Sequence, residues 1–138
     1  MEFILNTNNL ILLSMMIVSG GMLLAPLVPG LIHGGSSVNP TAATLLINRS
    51  KAVVIDVRTA EEFAKGHLAR SRNIVINQLP SDLETLKIAK NLPIILVCDS
   101  GTRSSSMIQK IKGAGYAEVF NLEGGIKAWN LAGLPLVK

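Results

Sequence analysis

Cysteine is almost absent from this chain: one residue, Cys98, in 138, beside two histidines. An internal disulfide is therefore excluded, and no group of Cys and His has the spacing of a zinc site, so no metal or other cofactor is expected. A lone thiol suits a reducing compartment. Aromatic residues are also scarce at 4%, and the thirteen Lys and Arg are scattered from Arg49 to Lys138 without forming a block or alternating with rings. A nucleic-acid partner is not suggested by that pattern. The formal net charge of +4 gives at most a weak field that favours small anionic ligands. The length leaves room for one compact domain and an appendage, and excludes a second full domain.

Charge is missing altogether between Glu2 and Arg49. Within that stretch Leu10 to Ile32 reads LILLSMMIVSGGMLLAPLVPGLI, long enough at about 1.5 Å per residue to cross a hydrocarbon layer of about 30 Å. A single transmembrane helix from about Asn9 to Pro29 is predicted, with Pro26 and Pro29 ending or kinking it. A cleaved secretory signal competes with this reading, but it requires a basic leading region and MEFILNTNN contains no Lys or Arg. Arg49 and Lys51 lie close beyond the span, which predicts that the following domain faces the cytoplasm. The expected organisation is an anchor over residues 1–32, a flexible Gly/Ser-rich tether over 33–38, and a folded domain over 39–138. His33 is a linker side chain with no second ligand near it in sequence.

Strand and helix signals alternate through the folded part. Asn39-Pro40 reads as an N-cap with proline in the first helical position. Ala52 to Val57 is a continuous β-branched run of the kind found in buried parallel strands. Thr59 and Glu62 have capping-box spacing before a helix closed by Gly66, and Ser81 and Glu84 repeat it before a helix ending near Lys90. Further strands are expected at Asn73–Ile76, from Pro93 to Cys98 and at Glu118–Leu122, with helices at Ser104–Ala114 and Ile126–Asn130. This order predicts an α/β fold, an open parallel sheet flanked by helices.

Ligands of open parallel sheets bind beyond the carboxyl ends of the strands, and Cys98 ends the strand that Pro93 begins. Taken alone, Cys98 reads equally well as a small buried apolar residue. Its neighbours change that. Asp99-Ser100-Gly101-Thr102-Arg103 is a tight loop feeding a helix, whose backbone N–H groups would cradle an anion and ease ionisation of a thiol. Gly101 permits a conformation other residues resist, and Arg103 offers a forked cationic donor. Asp99 works the other way, placing negative charge beside the nucleophile, which is expected to raise its pKa and to disfavour dianionic donors.

From Asn39 to the end of the chain the sequence resembles the rhodanese family. The resemblance rests on Ile55-Asp56-Val57-Arg58 with Glu61-Glu62-Phe63 and Gly66-His67-Leu68, on Cys98 to Ser104, and on Gly124-Gly125-Ile126 with Trp129 and Gly133-Leu134-Pro135. It implies a rhodanese-like domain in which Cys98 takes a sulfur atom from a small anionic sulfane donor, thiosulfate or a persulfide, and passes it from a Cys98 persulfide to a thiophilic or protein acceptor. Asp99, Ser100, Gly101, Thr102 and Arg103 would bind substrate, with Asp56 and Arg58 as structural support for the active-site loop.

The tyrosine phosphatase loop has five residues between Cys and Arg, and this chain has four, which argues against phosphatase or arsenate reductase chemistry. The other function the fold allows is a membrane-tethered sulfur carrier or docking module without turnover. His67, Gly124, Gly125 and Trp129 are expected to be structural.

Overall fold

The computed structural model describes residue 11 and residues 36–138. Apart from Ile11 the predicted membrane span lies outside the described residues, and no helix among the described residues is long and apolar enough to cross a membrane. The folded unit runs from Ser36 to Lys138. It contains β1 (Ser37–Val38), α1 (Pro40–Ser50), β2 (Val53–Asp56), α2 (Ala60–Lys65), β3 (Arg72–Asn73), α3 (Ser81–Thr85), β4 (Ile94–Val97), α4 (Thr102–Ser105), α5 (Ile108–Gly113), β5 (Val119–Leu122) and α6 (Gly125–Leu131). The five strands form one sheet in the order β1-β5-β4-β2-β3, with every pairing parallel. The α/β architecture with helix-covered parallel strands is thus as the sequence predicts.

Alternation along the central strands explains why both faces are covered. Ile55, Ile94 and Leu96 pack on one side with Leu83, Ile108 and Ile111. Val54, Ile95 and Val97 point the other way, onto Ala43, Ile126 and Trp129. All four residues of β4 are fully buried, so neither face of this strand meets water. Each large aliphatic side chain so placed contributes roughly 1.5–3 kcal/mol relative to exposure.

Local signals set several element ends. Asn39 caps α1, its Oδ1 accepting from Ala42 N at 2.8 Å. The capping box of α2 forms in full: Thr59 Oγ1 accepts from Glu62 N at 3.2 Å, and Glu62 Oε1 accepts from Thr59 N at 3.4 Å. The second capping box does not form. Pro80 occupies the N-cap of α3, so Ser81 already lies inside the helix and donates to Gln78 O instead. That helix stops at Thr85 and not near Lys90, because the chain reverses through Lys87 at φ 54°.

Three further expectations are corrected. Part of the stretch read as a tether is a strand: Ser37 and Val38 extend the sheet beside Asn121 and Leu122. Strand β3 is confined to Arg72 and Asn73, after which the chain turns; Asn73 Nδ2 donates to Asp56 O and Arg58 O at 3.0 and 2.9 Å and ties this turn to the end of β2. The helix expected over Ser104–Ala114 is two helices, α4 and α5, interrupted at Ser106 and Met107.

Candidate active site

Cys98 sits one residue beyond the carboxyl end of β4, the middle strand of the sheet, and is completely covered. The loop after it doubles back on the sulfur. Gly101, at φ 91°, turns its N–H toward the thiol and donates to Sγ at 3.0 Å. A side chain there would press within 3.1–3.2 Å of Gly124 N and Leu122 O in addition to the strain of the positive φ. Ser104, buried at the end of the same turn, places its hydroxyl 3.2 Å from Sγ.

The loop is also gripped from behind. Ile126 N donates to Cys98 O at 2.9 Å and Lys127 N to Asp99 O at 3.2 Å. This approach is possible only because residue 125 is glycine: a Cβ there would lie 2.3 Å from Cys98 O and 2.7 Å from the Asp99 carbonyl. Gly125 is therefore part of the site's architecture, in keeping with the structural role expected of it.

Electrostatics at the sulfur follow from these contacts. Burial acts to raise the pKa of Cys98. The Ser104 hydroxyl and the N–H groups of Ser104, Gly101 and Ser100 outweigh it, and the thiol ionises below its ordinary value. The net shift is opposite to the one expected from Asp99, whose carboxylate is turned to Lys127 Nζ at 3.5 Å on the exposed rim. With α4 only four residues long, the stabilisation is local hydrogen bonding and not the dipole of a long helix.

The remaining predicted residues fall in distinct places. Ser100 and Thr102 are exposed, their hydroxyls 3.5 Å apart on the rim. Arg103 is half-buried, and its fork is engaged: Nη1 and Nη2 donate to Glu62 Oε1 and Oε2 at 3.0 and 2.9 Å. Asp56 and Arg58 form a buried ion pair at 2.7 Å. Arg58 Nη2 donates to Gly66 O at 2.7 Å, so the pair ties the end of β2 to the segment after α2. His67 stacks on Phe63 with ring centroids 3.7 Å apart, and its Nδ1 donates to Phe63 O. Trp129 is core packing, with Nε1 donating to Pro135 O at 3.0 Å.

Three residues of the site were not among the predicted ones. Ser104 closes the thiol cradle. Asn121, buried within β5, donates from Nδ2 to Gly101 O at 3.1 Å, and its Oδ1 accepts from the Ser104 hydroxyl. Its signal was present, since an amide inside the apolar run Val119–Leu122 requires polar partners. Glu62 was read as a helix cap and is also the partner of Arg103. Among the described residues no group of His, Cys, Asp and Glu is arranged to hold a metal ion.

A cysteine at the carboxyl edge of a parallel sheet, inside a loop whose N–H groups converge on its sulfur, defines a domain built for thiolate chemistry. The profile of the rhodanese-like domain matches residues 39–132, and the chain belongs to that family. Its relatives include the uncharacterized protein YibN of Escherichia coli, 39% identical over 101 residues that cover 70% of this chain and 68% of YibN. A protein of Allochromatium vinosum named sulfurtransferase is 32% identical over 67% of this chain and 84% of its own length. Among solved structures, a rhodanese-related protein of Thermoplasma volcanium matches with TM-score 0.63 and 29% identity over 75% of this chain and 98% of that one. A thiosulfate sulfurtransferase of Pseudomonas aeruginosa matches with TM-score 0.67 and 26% identity over 75% of this chain, but only 19% of its own. Family and relatives support a general sulfurtransferase-type role.

Proposed function

We propose that the chain is a sulfurtransferase that moves a sulfane sulfur from thiosulfate or a persulfide to a thiophilic acceptor through a Cys98 persulfide. The observation that carries this reading is the cradle itself: Gly101 N–H and the Ser104 hydroxyl meet at Sγ, in a loop too short for a phosphoryl group by one residue. The Cys98 thiolate attacks the outer sulfur of the donor, forming a new S–S bond while the donor's own S–S bond breaks. The electron pair leaves on sulfite or on a thiolate. An acceptor thiolate then attacks the outer sulfur of the persulfide and returns Cys98 to the thiolate. Negative charge on sulfur is present in both steps, and the same N–H groups stabilise it in each. No histidine base is required by this reading, because the donors around Sγ favour the thiolate.

The reading is tested by turnover of the full-length chain with a sulfane donor and a thiol acceptor, followed as released sulfide. Turnover should vanish in Cys98→Ser while circular dichroism is unchanged; equal rates in the two proteins would contradict it. The uncharged run Leu10–Ile32 supports a further part of the same proposal, that the chain is held to a membrane with its rhodanese domain on the cytoplasmic side. Full-length protein should then stay with the membrane after alkaline carbonate extraction. Release into the supernatant would refute the anchor.

A further inference from the structure

The charged rim of the Cys98 loop is balanced. Two cations stand on it, Arg103 and Lys127, and each is paired with a carboxylate, Glu62 at 2.9 Å and Asp99 at 3.5 Å. With Cys98 ionised the mouth is net negative by one charge. The Arg103 pairing is the tighter of the two, since both terminal nitrogens of the guanidinium are bound to both oxygens of Glu62. Glu62 is itself held, because Thr59 N and Thr59 Oγ1 both donate to its Oε1. The fork that a sulfonate or sulfate-like group would need is therefore occupied by a carboxylate fixed to the start of α2.

From this pairing we infer that Glu62 is a specificity-determining residue acting through Arg103, and that it sets the donor as a persulfide of low charge in preference to dianionic thiosulfate. The inference rests on the sulfurtransferase reading and deepens it. Thiosulfate must bring two negative charges to a mouth that is already negative and must displace Glu62 to gain the guanidinium. A persulfide R–S–SH brings no charge, or one, and asks nothing of Arg103. The transfer balances without a further reactant: the Cys98 thiolate attacks the outer sulfur, the R–S–S link breaks, RS⁻ departs with the electron pair, and the proton stays on the transferred sulfur as Cys98–S–SH. Glu62 is lowered from 4.5 to about 2, chiefly because Arg103 hydrogen-bonds to it, so it keeps its charge across the working pH range.

The test compares Glu62→Gln with wild type in the full-length chain. Glutamine can still complete the helix cap, so α2 keeps its start. Second-order rate constants for sulfur loading of Cys98 are measured by intact mass with thiosulfate and with the persulfide of 2-mercaptoethanol. The ratio of the thiosulfate constant to the persulfide constant should rise about tenfold in Glu62→Gln at low salt, and the rise should shrink in high salt, as one removed charge beside a dianion requires. A purely structural role would lower both constants together and leave the ratio unmoved. An unchanged or reduced ratio, or a thiosulfate constant that stays undetectable in the variant, overturns the inference and leaves the sulfurtransferase reading standing. Failure of both donors to load wild-type Cys98 defeats that reading, and the inference with it.

Discussion

Replacing Ser104 by alanine removes one hydrogen-bond donor from the thiolate, together with the hydroxyl's contacts to Asn121 Oδ1 and Gly101 O. The hydroxyl lies 3.2 Å from Sγ, and a hydrogen bond to a charged acceptor contributes about 1.5–3 kcal/mol. Its single hydrogen is contested, because Asn121 Oδ1 and Gly101 O also lie within reach of Oγ. The lower end of the range is therefore the better figure. At about 1.4 kcal/mol per pKa unit, Ser104→Ala should raise the Cys98 pKa by about one unit. The assay is the ultraviolet absorbance of the thiolate against pH, which reports ionisation directly and does not depend on how fast a reagent reaches the covered sulfur. The chain offers a clean signal: it has one cysteine, and its one tyrosine, Tyr116, is pushed above its ordinary pKa by burial, away from the thiol transition. A midpoint that stays put or falls in Ser104→Ala would refute the view that local donors, and not the sheet or a helix dipole, ionise this thiol.

Other expectations follow from the same contacts. Gly125→Ala would drive a Cβ into Cys98 O at 2.3 Å and hold alanine at φ 59°; backbone on both sides cannot give, so a loss of about 3 kcal/mol is expected in denaturant unfolding. Arg58→Ala strands the Asp56 carboxylate in the interior and should cost about 3–5 kcal/mol by the same measurement, while sulfur loading per folded molecule stays intact. Glu62, lowered from 4.5 to about 2 chiefly by its hydrogen bond from Arg103, has a folded pKa below its unfolded one. Its contribution to stability is thus present above about pH 4.5 and lost as pH falls toward 2, and acid unfolding of Glu62→Gln should lack that component. The depressed pKa of Cys98 has the same sign, so the reduced protein should gain stability relative to Cys98→Ser as pH rises toward the ordinary thiol value of 9.0.

Much of the arrangement around Cys98 was legible in sequence because it is local. The aliphatic runs Val53–Ile55 in β2 and Ile94–Val97 in β4 have no polar residue to interrupt burial on two faces, and Cys98 follows directly on the second of them. The N-caps at Asn39 and Thr59 act over three residues and formed as read. What escaped was either too short for a periodic signal or joined residues far apart. Ser37 and Val38 are two residues in a polar stretch, and only pairing with β5 makes them a strand. Glu62 meets Arg103 across 41 residues and Ser104 meets Asn121 across 17, distances at which spacing carries no information. The break between α4 and α5 was hidden for a different reason: no glycine or proline marks Ser106 and Met107.

Everything proposed for this domain depends on Cys98 carrying sulfur. Intact mass spectrometry of the full-length reduced chain, incubated with a sulfane donor and freed of excess, tests it most directly. The expected result is the added mass of a single sulfur atom, located at Cys98, absent from Cys98→Ser and removed by a thiol acceptor. Protein that keeps its original mass with every donor, or Cys98→Ser that gains sulfur as readily as wild type, would contradict it.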